Sequence, residues 1–496
     1  MPISSLKAHG FAVGRTSTIT LTLAFLLGSL VISGCTVGPD FHPPHPSMPQ
    51  SWLGPTTAPT TQQSVATTQP ADVTNWWTVF DDPTLESLID RALAANLDLQ
   101  QAESRIRQAR ALRTIAKADQ VPNVNSSGSY QRTGVNDHSA DLWRAGLDAN
   151  WELDIFGGIR RNVESADAEI TFAVEDYRDV MVSLVAEVAL DYIDLRGFQR
   201  EIDIAHSNLD AQRHSADLTR QRFPAFVGGL DVANAEAAVW TTEAAIPSLE
   251  QSSRQTIYAL AVLLNEDQAT LVEELSPPGA IPPKPPQVPI GLPSELLRRR
   301  PDIRRAEASL HSATAQIGVA TADLFPRFAL TGSLATTGAN FSSLSNWSAA
   351  VWSIGPTMSW PIFQGGRIRA NIDVKNELTQ QALLEYKRTV LIAMQDVESA
   401  LIAYEKEQQR YDSLVAAVEA NRRAVRISTD LYTQGNTDFL NVLSAQRSLL
   451  LTEDALVQSQ RTIATNLVAL YKAIGGGWDP AQGDPTTQPS SNSTLR

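Results

Sequence analysis

Two lines of apolar residues, each with eight members at spacing seven, run through the chain. The first is Val174, Met181, Val188, Leu195, Ile202, Leu209, Ala216, Phe223, and the second Leu383, Val390, Val397, Tyr404, Tyr411, Val418, Val425, Tyr432. A seven-residue repeat keeps apolar side chains on one side of a helix and predicts long helices packed side by side. Each line spans 49 residues. At the standard rise each helix is then at least ~74 Å long, far beyond the roughly three turns of an ordinary globular helix. The lines differ by a constant 209 positions, which marks a tandem duplication.

The duplication begins upstream. Asp98, Ala102, Glu103, Ala109, Ala116, Asp119, Pro122 and Gly128 recur 204 positions later as Asp302, Ala306, Glu307, Ala313, Ala320, Asp323, Pro326 and Gly332. Each copy is an Ala-rich helical run, then Pro, then strand-like residues. Trp151, Gly157, Ile159, Arg160 and Asn162 match Trp360, Gly366, Ile368, Arg369 and Asn371.

Between the helical blocks the period changes to two. Trp143, Ala145, Leu147, Ala149, Trp151 and Leu153 are apolar, while Arg144, Asp148, Asn150 and Glu152 stand between them. That alternation predicts a strand with one oily and one charged face. Trp352, Ile354, Met358 and Trp360 repeat it more weakly, alternating with Ser353, Gly355, Thr357 and Ser359. Partner strands are expected over about 122–132 and 326–337, giving two hairpins. Polar inward faces with aromatics at strand ends suit a transmembrane β-barrel. The odd residues, with Trp352 and Trp360, are then expected to face lipid, and Arg144, Asp148 and Glu152 the lumen. A soluble sheet over a core shares the same period.

Gly157-Gly158 and Gly365-Gly366 mark the passage from strand to long helix. The first long helix is expected to end near Phe223-Pro224 and turn at Gly228-Gly229, and its copy to turn at Gly435. A second helix follows each turn, and Pro247 is expected to kink the first of these. Asp82-Pro83 suits a helix start, with Leu85, Leu88, Ile89, Ala92 and Leu93 on one face. The organisation expected is a signal peptide (1–34), a lipidated tether (35–74), a first repeat (75–275), a Pro-rich linker (276–293), a second repeat (294–477) and a disordered tail (478–496).

Composition narrows the picture. The net charge of −14 and the lack of a basic stripe argue against nucleic acid as a partner. Removal of the first 34 residues, which hold Lys7 and Arg15 and no acid, takes the charge to −16. Ile19 to Ile32 is a short apolar run after those two cations and before Ser33, Gly34 and Cys35, the pattern of a signal peptide. Ile-Ser-Gly-Cys resembles the bacterial lipobox, which implies cleavage before Cys35 and its acylation. Thr36 in the next position then implies the outer membrane. No later run reaches the ~20 apolar residues of a membrane helix. Cys35 is the single cysteine, so no intrachain disulfide and no cysteine metal cluster can form.

No catalytic constellation emerges. HExxH, GxSxG and GxxxxGK[ST] are absent. His206 and His214 lie eight positions apart, too far for paired zinc ligands on one helix. Gly475-Gly476-Gly477 reads as a helix cap and exit, and Arg298-Arg299-Arg300 as a solvated face or a set of ion pairs. No enzyme, cofactor or metal is expected.

The chain resembles the TolC-like outer membrane factors, in the lipoprotein branch that serves drug-efflux pumps. The resemblance is carried by the Cys35 lipobox, Trp76-Trp77 with Phe80 and Asp82-Pro83, Arg300-Pro301-Asp302-Ile303-Arg304 with Ala306-Glu307, and Trp151 through Gly157. Trp360-Pro361-Ile362-Phe363, Gly365 through Ile368, Tyr432 through Gly435, and Ala445-Gln446-Arg447 add to it. It covers about 35–477. It implies a mainly α chain with a membrane β-barrel portion: a tandem-duplicated long-helix α-barrel plus four β-strands per chain, closed as a homotrimer. It further implies a passive efflux conduit for drugs or other small molecules, with a periplasmic adaptor, an inner-membrane efflux pump and outer membrane lipid as partners. In that family, acidic residues three apart on the second-repeat helix ring a closed periplasmic entrance. The matching positions here are Asn441 and Ser444, so the pair is absent, and Asp231 and Asp438 on the two turns are its candidate replacements. Two alternatives stay open: a conduit for protein secretion on the same fold, and a structural coiled-coil lipoprotein without a channel.

Overall fold

The structure is a computed structural model that describes residues 36–53, 65–67, 73–136, 138–226, 229–283, 287–289 and 293–479. Cys35, Gly228 and the segment 480–496 lie outside the described residues.

The helices of eight residues or more are α1 (Pro83–Ala95), α2 (Leu97–Ala118), α3 (Gly158–Phe226), α4 (Gly229–Leu264), α5 (Gln268–Leu275), α6 (Pro301–Ala322), α7 (Arg367–Thr433) and α8 (Phe439–Ala473). The strands are β1 (Val65–Thr67), β2 (Asn123–Val135), β3 (His138–Leu153), β4 (Gln287–Pro289), β5 (Arg327–Gly338) and β6 (Val351–Ser359). The duplication is visible in the elements themselves. α2 and α6 are both 22 residues long, and α3 and α7 are 69 and 67. Both lines of seven are buried or half-buried along their described members, with Val188 and Leu195 at 0% exposure and Val397 at 0%.

Each predicted boundary has a local cause. Asp82 caps α1 by accepting from the amides of Thr84 and Leu85, with Pro83 in the first turn. This satisfies donors that a helix start leaves free. Gly157, Gly365 and Gly366 take positive φ at the strand-to-helix bends, where a side chain would be strained. At the end of α8 the Gly476 amide donates to Tyr471 O at 2.9 Å, and Gly475 is left-handed, as a glycine helix stop requires. α3 ends at Phe226, close to the expected Phe223-Pro224, and Pro247 lies inside α4.

The chain packs as two compact units, each drawing on both repeats. One holds the described residues up to Pro43, with Ala109–Ile170 and Ser309–Leu383; the other holds Pro44–Gln108, Thr171–Ala308 and the described residues from Leu384 on. The first unit contains the four-stranded antiparallel sheet, in the order β2-β3-β5-β6. It also seats the start of the tether. Val37 N donates to Phe156 O at 3.1 Å. Arg161, only 4% exposed, reaches Val37 O and Asp40, and holds the Asp40 carboxyl below its usual range. Gly38 lies so close to Gly318 that a Cβ on Gly38 would stand 2.5 Å from the Gly318 Cα.

The second unit holds the main apolar core. Trp76 stacks on Tyr471 at 5.2 Å, and Leu85, Leu88, Ile89, Leu260 and Leu467 are fully buried. Here β1 pairs in parallel with β4, so a stretch of the tether is joined to the inter-repeat linker. Trp478 departs from the expected disordered tail. It is 4% exposed, donates to Arg299 O at 3.0 Å, and has the guanidinium groups of Arg178 and Arg304 over its ring, 4.5 and 5.3 Å from the centroid. In the arginine run Arg298 is exposed, Arg299 pairs with Glu295, and Arg300 is bound to Asp302 and Asp396.

Candidate functional site

The sheet is a single layer whose two faces differ in chemistry along 143–153 and the strands paired with it. β3 pairs with β5 so that Leu147 meets Leu334, Trp151 meets Leu330 and Leu153 meets Phe328. β5 then pairs with β6 so that Leu334 meets Trp352, Gly332 meets Ile354 and Phe328 meets Met358. Directly paired residues project to the same side, so Trp143, Leu147, Trp151, Trp352 and, by alternation, Trp360 share one apolar face. That face is bare: Leu147 is 49% exposed, Trp352 71% and Ile354 68%.

Arg144, Asp148 and Glu152 share the opposite face with Ser333, Thr337 and Asn125. Ser127 Oγ donates to Asp148 at 3.1 Å, and Ser333 and Ser353 hydroxyls meet at 2.8 Å across β5 and β6. The polar character thus extends beyond β3 to all four strands, with Leu142 and Val351 among the apolar residues that interrupt it. Phe328, Leu330 and Leu334 join the apolar face without having been singled out from sequence; the alternation in 328–334 carried that signal.

The two repeats end their strands alike. Trp151 Nε1 donates to Gln120 O at 3.0 Å, and Trp360 Nε1 donates to Leu324 O at 3.1 Å. Each indole keeps an apolar body on the oily face and spends its one donor on the carbonyl just beyond a helix end. That is the behaviour of an aromatic at a membrane boundary. Beside them Phe156 stacks on Phe325 at 4.5 Å.

The helix turns come together in the second unit. Ala216 of α3, Ala235 of α4, Tyr432 of α7 and Phe439 and Val442 of α8 form one small cluster, with Tyr432 and Phe439 rings 5.5 Å apart. Gln446 reaches across to Ser215 with a buried bond of 2.8 Å. Asp231 lies in the first turn of α4. Asp438 is at the N-cap position of α8, yet its side chain makes no capping bond. Asn441 donates to the Thr437 hydroxyl at 2.7 Å, and Ser444 is exposed. Among the described residues no cluster of His, Cys, Asp and Glu could hold a metal, and no helix is long and apolar enough to cross a membrane.

The family model described as outer membrane efflux protein matches residues 88–266 and 292–476, one segment for each repeat. This chain belongs to the outer membrane efflux protein family. Its place is accordingly the outer membrane, and its role that of an efflux conduit; the family's members are channels rather than enzymes. Nodulation protein T of Rhizobium leguminosarum bv. trifolii is 35% identical, over 91% of this chain and 96% of that protein. The pyoverdine export outer membrane protein OpmQ of Pseudomonas aeruginosa is 34% identical, over 82% of this chain and 88% of that protein. Among solved structures, the outer-membrane channel OprN is 39% identical with a TM-score of 0.82, covering 90% of this chain and all of that one.

Proposed function

We propose that this efflux protein works as a lipid-anchored homotrimer, a passive conduit for small molecules that is fed by an inner-membrane pump through a periplasmic adaptor. The observation that carries the trimer is the open sheet. Four strands present an apolar and a polar face, and β2 and β6 each leave one edge unpaired. Membrane barrels need at least about eight strands, and an open edge in lipid leaves backbone groups without partners. Copies of the chain joined β2 to β6 remove every edge. The name of the pyoverdine exporter, a relative that moves a small molecule, supports this cargo over secreted protein. Acylation at Cys35 supplies the anchor, at ~0.8 kcal/mol per buried methylene.

The apolar face meets lipid and Arg144, Asp148 and Glu152 line the water-filled lumen. A charge on the lipid face costs about 2–4 kcal/mol at the midplane, and a lumen change costs far less. Leu147→Arg therefore impairs assembly, while Asp148→Arg assembles and shifts single-channel conductance in planar bilayers. Equal tolerance of both substitutions rejects the assignment of faces. At the helix turns, Asp231 and Asp438 place carboxylates near the threefold axis and favour cations at the entrance, with Asn441 and Ser444 beside them. An unchanged reversal potential in the double variant Asp231→Asn, Asp438→Asn removes that role.

A further inference from the structure

The connections at the strand ends remote from the helices are built in opposite ways. β2 and β3 remain paired through Gln131–Leu142 up to Val135–His138, past the end of β5. This ribbon carries Arg132, His138 and Asp141 and is suited to water. The β5–β6 loop, residues 339–350, contains no charged residue: its sequence is ANFSSLSNWSAA.

Three contacts fix where that loop lies. Thr336 Oγ1 donates to Leu344 O at 3.1 Å. The Phe341 ring meets Trp143 edge-on, with centroids 5.3 Å apart. A Cβ on Gly338 would stand 1.8 Å from Ser343 Oγ, so a bare glycine is what lets the loop come down. In the register Trp143 pairs with Gly338 and Ala145 with Thr336. All three anchoring positions therefore project from one face of the sheet, the face of Leu147, Leu334 and Trp352. The loop folds over the apolar face and leaves the polar face clear. Phe341 and Trp347 nevertheless remain 69% and 72% exposed.

We propose that this loop is a lipid anchor, with Phe341 and Trp347 seated at the headgroup–acyl boundary of the outer leaflet on the outside of the barrel. The proposal rests on the reading above that the apolar face meets lipid. Lipid is the occupant favoured here for two reasons. The loop continues the apolar face without a break, and it brings no charge that would have to be desolvated. Aromatic rings set among Ser and Asn match a layer that is apolar on one side and wet on the other. Because the loop lies off the polar face, it does not gate the lumen.

The test uses the assembled protein in a Cys35→Ser background, which has no other thiol. Bimane is attached at Ser348→Cys on the loop, at His138→Cys on the ribbon and at Leu147→Cys on the apolar face. Each labelled protein is reconstituted in phosphatidylcholine vesicles with and without acyl chains brominated at positions from near the headgroup to near the chain end. The expected result is loss of most fluorescence at 348 and 147 in brominated vesicles, and quenching at 138 by aqueous iodide alone. Quenching at 147 with a loop label that answers only to iodide overturns the loop proposal. Failure of the 147 label to sense bromine overturns instead the reading of which face meets lipid. As a second measurement, the double variant Phe341→Ser, Trp347→Ser keeps single-channel conductance unchanged; a rise in conductance would make the loop a plug and refute the anchor.

Discussion

α3 and α7 are copies of one helix that end with different surroundings. At the offset of 209, Val182 corresponds to Leu391, Ile193 to Ile402 and Glu175 to Leu384. Val182 and Ile193 are 5% and 0% exposed, whereas Leu391 and Ile402 are 66% and 44%. Among the described residues of α3 no large apolar side chain is exposed, while α7 leaves Val374, Leu378, Leu384, Leu391, Ile402 and Ile427 bare. Both helices bury their line of seven. What differs is the adjacent stripe, which α3 covers with its own chain and α7 does not. Exposed apolar surface on this scale marks an interaction site, and on α7 we assign it to the next copy.

The largest expected effect breaks the comparison on its open side. Leu391→Glu puts a charge where the next copy packs, so native mass spectrometry in detergent is expected to show monomers only, with no channel activity in bilayers. An intact trimer peak would mean that the bare stripe of α7 is not an interface. On the closed side, Glu175 is 1% exposed and bridges Arg178 at 2.7 Å and Arg304 at 2.8 Å. Burial pushes its carboxyl up even with both arginines pulling it down. Glu175→Ala leaves two arginines short of a partner and is expected to cost about 3–5 kcal/mol in denaturant unfolding, with Trp478 fluorescence changing first. A cost below about 1 kcal/mol would reduce the cluster to a surface ion pair.

A smaller change sharpens the contrast. Ile193→Val removes one buried methylene and is expected to cost about 0.5–1.5 kcal/mol. Ile402→Val, at the matching place, is expected to leave the unfolding midpoint of dissociated monomer unmoved. Equal losses at both would show that α7 is covered within its own chain after all.

The smallest effect depends on pH. Asp191 of α3 is pushed up to about 6, first by burial and then by Glu187 and Asp194. A carboxyl whose folded value is raised favours folding below its unfolded value and loses that contribution as pH climbs towards 6. Asp191→Asn is therefore expected to raise the thermal midpoint at pH 8 and to do little at pH 4. A gain of equal size at both pH values would assign the effect to packing rather than to charge.

The sequence announced the parts of this molecule that repeat along the chain. Spacing of seven found α3 and α7, the period of two found β3 and its oily face, and the 204-position echo found α2 with α6 and β2 with β5. Other features depend on residues far apart and leave no local period. The amide of Leu53 donates to Glu398, 345 positions away, and Arg161 holds Asp40 across 121. Trp478 was read as tail because the apolar pattern stops before it, and its place is set by two arginines at 178 and 304. The side chains of the face were legible for the same reason that the loop over it was not. Alternation specifies a face, whereas the descent of 339–350 rests on a hydroxyl, a ring edge and a missing Cβ.

The seat of the tether has a mechanical consequence. Val37 through Asp40 are clamped by Arg161 and by the Gly38–Gly318 approach, next to the bend where β3 becomes α3. A lipid on Cys35 would hang two residues from that clamp. Any pull on the chain from a lipid there would reach the strand-to-helix bend through only those two residues.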